Sequence, residues 1–171
     1  MRNISCLFLF VLLFTSCQVE EKGKNHKTNW NKRISSITNF EDFVQGETYL
    51  PVYSHIYYAH EDRTFDLTIT VSIRNVSHTD SVYILNADYY NTAGDKIRRY
   101  IENPVFVAPM ETVEIVIKEA DKEGGSGANF IFDWAAKRKE TPPLFEAVML
   151  STYGQQGISF LTRGVPIQKD R

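Results

Sequence analysis

The chain has 171 residues, of which 43% are hydrophobic and 23% are charged, a balance that suits one globular domain with polar tails. Its formal net charge of −2 provides no basic surface, so we set nucleic acid aside as a partner. Both cysteines, Cys6 and Cys17, lie near the N-terminus, which excludes disulfides, thiol nucleophiles and cysteine-ligated zinc from the rest of the chain.

Residues 1–16 have the pattern of a signal peptide. A positive start at Arg2 precedes an apolar run over residues 4–14, which is shorter than the roughly 20 residues that span a bilayer. The small residues Thr15 and Ser16 then lead to Cys17. This ending resembles the lipobox of bacterial lipoproteins, which implies that Cys17 is acylated and that the preceding segment is removed. The alternative is an ordinary secretory signal followed by an incidental cysteine.

The residues after Cys17 are relevant to localisation. Gln18, Val19, Glu20 and Glu21 resemble the surface-export signal of Bacteroidetes lipoproteins, although a solvated linker explains them equally well. Acyl chains would hold the protein on the membrane, because each buried methylene contributes about 0.8 kcal/mol. We therefore expect an outer-membrane lipoprotein of the bacterial envelope, on the periplasmic side or at the cell surface.

Residues 17–48 are polar and are expected to form a lipid-anchored, flexible tether. Within it, the helical spacing of Ile37, Phe40, Phe43 and Val44 predicts a short amphipathic helix over residues 37–44. The folded domain is expected to occupy residues 49–167.

The clearest strand in the domain covers residues 65–75. Phe65, Leu67, Ile69, Val71 and Ile73 alternate with polar residues, as in a strand with one buried and one wet face. Residues 82–91 and 96–101 follow after turns, and we expect all three strands to pair in one antiparallel sheet.

Further strands are predicted at residues 49–58, 113–118, 130–134, 144–151 and 158–163. About eight short strands with little helical pattern predict an all-β fold, an antiparallel β-sandwich.

Four strings support a family resemblance: P-V-Y-S-H-I-Y at 51–57, L-T-I-T-V-S-I-R-N at 67–75, G-G-S-G-A-N-F at 124–130 and G-Q-Q-G-I-S-F at 154–160. Over residues 49–167 the chain resembles a family of bacterial lipoproteins known only as a domain of unknown function. The resemblance implies an envelope protein without an assigned activity, so it carries over no catalytic residue. A looser likeness to immunoglobulin-like extracellular modules implies binding or support rather than catalysis.

One candidate metal group is formed by His55, His60 and Asp62. Imidazole and carboxylate groups suit zinc, and three protein ligands would leave a position for water. However, residues five apart on a strand face opposite sides, so the alternative is a solvated hairpin with no metal.

Two glycine-containing loops are candidate ligand-binding sites. Residues 121–129 contain three glycines within four positions, and their backbone amides could contact an anion or a glycan. No phosphate-loop lysine follows, and the alternative is a tight bend. Residues 152–157 offer amide and tyrosine side chains, or they form a simple hairpin turn. The candidate ligand-binding residues are Asp121, Gly124, Gly125, Ser126, Gly127, Asn129, Tyr153, Gln155 and Gln156.

The sequence contains no convergent nucleophile or acid–base set, and we expect no cofactor. We interpret the protein as a non-catalytic binding module for an envelope protein or glycan, attached to the membrane through Cys17. The alternatives are a metal-assisted hydrolase that uses His55, His60 and Asp62, and a purely structural envelope component.

Overall fold

A computed structural model describes residues 28–153 and 156–168, apart from the side chain of Tyr153. The predicted signal peptide, Cys17, the first part of the tether and Gln155 lie outside the described residues. In the described part, no helix is long and apolar enough to cross a membrane.

The described residues form two short 3₁₀ helices, Trp30–Arg33 and Gly125–Gly127, and twelve β-strands. The strands are β1 (Val44–Pro51), β2 (His55–Tyr58), β3 (His60–Asp66), β4 (Thr68–Arg74), β5 (Val82–Tyr90), β6 (Lys96–Ile101), β7 (Val105–Val107), β8 (Thr112–Ile117), β9 (Asn129–Ala136), β10 (Leu144–Tyr153), β11 (Gln156–Arg163) and β12 (Val165–Ile167).

These strands form two packed antiparallel sheets and a separate hairpin. The six-stranded sheet has the order β12-β1-β9-β5-β6, with β7 also paired to β5. The four-stranded sheet has the order β11-β10-β4-β8, and β2 pairs with β3 in the hairpin. The predicted all-β antiparallel sandwich is therefore confirmed, with more and shorter strands than the eight expected.

The core lies between the two sheets and is formed by alternating residues of the strands. In β4 the predicted alternation is confirmed, because Ile69, Val71 and Ile73 are fully buried while Thr68 and Thr70 are partly exposed. The Phe132 ring of the six-stranded sheet stacks on Phe145 of the four-stranded sheet, with 4.5 Å between the ring centroids. Apolar burial of this kind contributes roughly 25 cal/mol per Å², so this interlayer contact is a main source of stability.

The predicted pairing of the strands at 65–75, 82–91 and 96–101 in one sheet was wrong. β5 pairs with β6 as expected, but β4 lies in the opposite sheet between β8 and β10. The connection after β4 crosses between the layers at Asn75, which is buried. Its Nδ2 donates hydrogen bonds to the carbonyls of Asp80, Val107 and Ala108, at 2.8, 2.9 and 3.0 Å. This amide therefore gives partners to three main-chain oxygens at the crossing.

The predicted helix over residues 37–44 was also wrong. Residues 41–43 form a turn, in which Asn39 Oδ1 accepts from the Glu41 amide and the Phe43 amide donates to the Phe40 carbonyl. Phe40 and Phe43 share one side of this turn and both contact Tyr83, at 5.3 and 5.4 Å between centroids. A turn with two phenylalanines three residues apart therefore mimics helical spacing.

The domain begins earlier than the sequence predicted. β1 starts at Val44, so the last part of the expected tether belongs to the six-stranded sheet. The preceding residues are also bound to the domain, since Arg33 forms two hydrogen bonds of 2.8 and 2.6 Å to the Glu111 carboxylate. This ion pair is partly buried and joins the first 3₁₀ helix to the loop before β8.

Candidate functional site

A cleft of about 970 Å³ lies on the outer face of the six-stranded sheet. We call it the outer cleft. It is lined by Gln45, Gly46, Glu47, Leu85, Asn86, Arg99, Asp133, Trp134, Ile167 and Gln168.

Strand register brings the polar groups of the outer cleft into one line. Glu47 on β1 is directly opposite Asp133 on β9, and Asp133 is opposite Asn86 on β5. Directly opposed residues on adjacent strands project from the same face, about 5 Å apart. Three oxygen-bearing side chains from three strands therefore point out of this face side by side.

A β-bulge in β5 helps to create this line. The register between β5 and β9 shifts between Ile84 and Asn86, which leaves Leu85 as the extra residue. Because side chains alternate along a strand, an added residue moves every later side chain to the other face. The bulge thus places Asn86 and Asp88 on the outer face while Ile84 and Ala87 remain in the core.

Beside the outer cleft, the carboxylate of Asp88 interacts with two cationic side chains. Its carboxylate accepts hydrogen bonds from Arg99 Nε at 2.7 Å and Nη2 at 2.9 Å, and Lys96 Nζ lies 3.4 Å away. The hydrogen bonds from Arg99 lower the pKa of Asp88 to about 2, against the opposing effect of burial. Asp88 is therefore ionised throughout the physiological range and cannot donate a proton as a general acid there.

Asn86 is held in one orientation by the neighbouring carboxylates. Its Nδ2 donates to Asp88 Oδ2 at 3.0 Å and approaches Asp133 Oδ2 at 3.4 Å. Its Oδ1 is buried and has no hydrogen-bond partner among the described residues. A buried carbonyl oxygen without a partner costs stability, so the bonds from Nδ2 must offset that cost to keep the side chain in this position.

The indole of Trp134 lies behind these residues, on the core side of the sheet. The indole Nε1 donates to Thr48 Oγ1 at 3.0 Å, and Trp134 is only 8% exposed. The ring covers Gly46 so closely that a Cβ on this residue would overlap the indole. Glycine is thus required at position 46 for the aromatic ring to pack between β1 and β9.

The lining of the outer cleft offers both hydrogen-bond donors and hydrogen-bond acceptors. It contains carboxylates, side-chain amides and one guanidinium. Carboxylate and amide oxygens accept hydrogen bonds, while the amides and Arg99 donate them. This set matches a ligand that is rich in hydroxyl groups.

The loop at residues 121–129 is bonded to the domain at several points. Gly124 accepts hydrogen bonds at its carbonyl from the Thr92 amide and Thr92 Oγ1, at 2.9 and 3.1 Å, and the Gly127 amide donates to Thr92 Oγ1 at 2.9 Å. Gly125 has a φ of +78°, which favours glycine, and its carbonyl accepts from the Ser54 amide. These bonds account for the glycines as parts of a tight bend.

The other residues of this loop that the sequence predicted to bind a ligand take part in ion pairs or lie in regular secondary structure. Asp121 and Glu123 both bind Arg98, at 2.8 and 2.7 Å. Asn129 begins β9, and Ser126 lies in the second 3₁₀ helix. Ligand binding at Asp121, Gly124, Gly125, Ser126, Gly127 and Asn129 remains a prediction.

The β2–β3 hairpin lies between the two predicted ligand loops. Lys122 Nζ contacts Asp66 of β3 at 2.7 Å, which links the hairpin to the glycine-rich loop. On the other side, Phe65 lines a smaller cavity of about 210 Å³ together with Ser151, Gln156, Gly157 and Ile158. Gln156 is therefore near the hairpin, whereas Gln155 and the Tyr153 side chain are outside the described part.

The same hairpin separates the candidate metal residues. His55 is paired with Asp66 at one end, and His60 is paired with Tyr58 at the other, so their backbones are roughly 10 Å apart at 3.3 Å per residue. His60 Nδ1 lies 3.9 Å from Asp62 Oδ2. Among the described residues, no group of three or more His, Cys, Asp or Glu side chains has a metal-binding arrangement.

The sequence prediction missed the outer cleft. The one signal was Asp133, a carboxylate inside the apolar run F-I-F-D-W-A-A of residues 130–136. Its partners Glu47 and Asn86 are far away along the chain, so only the strand register brings them together.

Comparison with known proteins gives a family and a distant structural likeness. The profile of the family described as "Protein of unknown function (DUF3124)" matches residues 45–167, which is more than half of the chain. The chain is also similar to a structure titled "Crystal Structure of Thermotoga maritima 1070", with 9% identity and a TM-score of 0.46. That match covers 70% of this chain and 92% of the other. No curated protein matches the sequence.

Proposed function

We propose that this chain, which belongs to the DUF3124 family, is a lipid-anchored binding module of the bacterial envelope that holds a glycan in the outer cleft. The observation that carries the proposal is the line of Glu47, Asp133 and Asn86, which the strand register places side by side across three strands. Hydroxyl groups of a sugar would donate to the carboxylates of Glu47 and Asp133 and would accept from Arg99 or Gln45.

The composition of the cleft favours a glycan over a protein. Protein interfaces are depleted of Asp and Glu at their centre and enriched in Tyr, Trp, Phe and Met. The outer cleft has two opposed carboxylates at its centre, Glu47 and Asp133, and its one aromatic residue, Trp134, is almost completely buried.

The anchor supports an envelope location. The apolar run over residues 4–14 followed by Thr15, Ser16 and Cys17 resembles a lipobox, and acylation there would fix the domain to the outer membrane. A protein anchored in this way would be surrounded by the glycans of the cell envelope.

The test is titration of the acylated protein, in detergent, with soluble glycan fragments released from cell wall and from surface polysaccharide of the same cells. Isothermal titration calorimetry should detect binding of one of these preparations. Glu47→Gln and Asn86→Ala should each weaken it about tenfold or more, at about 1.5 kcal/mol or more each, because the first removes a charged acceptor and the second removes the amide that approaches Asp133.

The matched control is Glu114→Gln, an exposed carboxylate on the outer face of the other sheet, which should leave the affinity unchanged. Binding that is equal in the wild type and both cleft variants would contradict the proposed site. Capture of an envelope protein with no affinity for either glycan preparation would contradict the ligand class.

A further inference from the structure

An exposed apolar row crosses the outer face of the four-stranded sheet. Leu161 on β11 is opposite Val148 on β10, Val148 is opposite Thr70 on β4, and Thr70 is opposite Val116 on β8. Leu161 and Val116 are 57% and 56% exposed, and Val148 is 42% exposed. The row therefore spans the sheet from one edge to the other with its aliphatic groups in solvent.

Leu150 adds a fourth exposed aliphatic side chain to this surface. Leu150 lies two residues after Val148 on β10, on the same face, and is 46% exposed. Single exposed aliphatic residues are normal on a protein surface, but here four share one sheet face, with Thr70 between Val148 and Val116. We call the surface made by Val116, Val148, Leu150 and Leu161 the apolar face.

The N-terminal segment joins the domain beside the apolar face. Thr28 Oγ1 donates to the Glu114 carbonyl at 3.0 Å and accepts from the Glu114 amide at 3.2 Å. Glu114 is on the edge strand β8, two residues before Val116, and points to the same side of the sheet. The chain thus reaches the domain at the border of the apolar face.

The distance to the predicted anchor is short. Ten residues separate Cys17 from Thr28 in the sequence. At no more than about 3.6 Å per residue, Thr28 lies within roughly 40 Å of an acylated Cys17 even when the chain between them is fully extended. An acylated Cys17 would therefore keep the edge of the domain that carries the apolar face within reach of the bilayer.

We propose that the apolar face rests on the lipid bilayer, with Val116, Val148, Leu150 and Leu161 at the headgroup boundary. This inference depends on the lipid anchor of the proposed function. Interfacial binding increases with the apolar area that is buried, and a tethered surface needs little intrinsic affinity because its effective concentration at the membrane is already high. The outer cleft, on the opposite sheet, would then face away from the membrane.

The experiment uses the acylated protein in liposomes of phosphatidylethanolamine and phosphatidylglycerol. Single cysteines are introduced by Val116→Cys, Val148→Cys and Leu161→Cys and carry a nitroxide label. The native Cys17 is blocked by acylation, and Cys6 is removed with the signal peptide. Val165→Cys is the matched control, since Val165 is an aliphatic residue that is 53% exposed on the other sheet.

At the three positions on the apolar face, reconstitution into liposomes should lower collision with a water-soluble nickel chelate and raise collision with oxygen. The label at position 165 should remain accessible to the chelate. Equal accessibility at all four positions would overturn the inference, as would spin–spin coupling between protein copies, which would indicate self-association through this face. An unmodified Cys17 in the mass spectrum would overturn the anchor as well, whereas an acylated protein with a wet apolar face would overturn this inference alone.

Discussion

The buried indole of Trp134 donates a 3.0 Å hydrogen bond to the hydroxyl of Thr48, on the neighbouring strand of the six-stranded sheet. The bond fixes the ring on the core side of the two strands that carry Glu47 and Asp133. Thr48→Val keeps the shape of the side chain but leaves the indole N–H unpaired, so we expect a loss of about 1–2 kcal/mol in the free energy of unfolding. Urea unfolding measures it. Thr70→Val, on the exposed face of the other sheet, is the control and should change stability little.

Gly46 is required by the same ring. A Cβ at this position would overlap the Trp134 indole, so Gly46→Ala should destabilise the protein by about 1–3 kcal/mol through overpacking. Thermal unfolding measures the effect. Gly157→Ala is the matched control, because a Cβ there meets only ordinary van der Waals contacts at 3.5 Å or more. Equal melting temperatures for the two variants would contradict this packing.

Thr92 holds the glycine-rich loop in its bend. Its hydroxyl donates to the Gly124 carbonyl and accepts from the Gly127 amide, so Thr92→Val should cost about 1–2 kcal/mol and speed hydrogen exchange at the Gly127 amide. Hydrogen-exchange NMR would measure both the loss of stability and the faster exchange at the Gly127 amide. Thr64→Val, on the exposed strand β3, should leave exchange in the loop as it is in the wild type. Unchanged protection at Gly127 would show that other bonds hold the bend.

Asp88 should make stability depend on pH in the acid range. Its pKa is lowered to about 2 by the hydrogen bonds from Arg99, whereas a free aspartate in the unfolded chain titrates near its ordinary value of 3.8. The unfolded state therefore takes up the proton first, and the stabilisation is complete above about pH 4 and is lost as the pH falls towards 2.

Asp88→Asn removes this contribution. We expect the variant to be less stable than the wild type by roughly 1–2 kcal/mol at pH 7, after allowance for solvent screening of the half-exposed Arg99. The difference should shrink between pH 4 and pH 2, which urea unfolding across this range would show. Glu102→Gln, at an exposed position after β6, serves as the control. A difference that stays constant down to pH 2 would mean that Asp88 stabilises the fold by another route.

Local alternation predicted most of the strands correctly. β8 has the strict pattern of exposed and buried residues expected at 113–118, and Phe130, Phe132 and Trp134 of β9 are buried as the alternation indicated. This works because each residue of a strand projects opposite to its neighbour, whatever lies beyond the strand. The immunoglobulin-like topology and the lipid anchor remain predictions.

Pairing was harder to predict than the strands themselves. The short connection at residues 75–81 suggested a hairpin between β4 and β5, but the buried Asn75 amide supports a crossing between the two sheets. The same limitation hid the outer cleft, because Glu47 and Asp133 are 86 residues apart and become neighbours only through the β1–β9 register.

The sequence by itself determined that the chain folds as an all-β sandwich and which residues of each strand face the core, since side-chain alternation and turn residues are local properties. Only the tertiary structure decided which strands pair, that the bulge at Leu85 turns Asn86 and Asp88 outward, and that polar groups from three strands form one cleft. Long-range register depends on how the two sheets pack together, and the energy of that packing cannot be inferred from any single segment of the sequence.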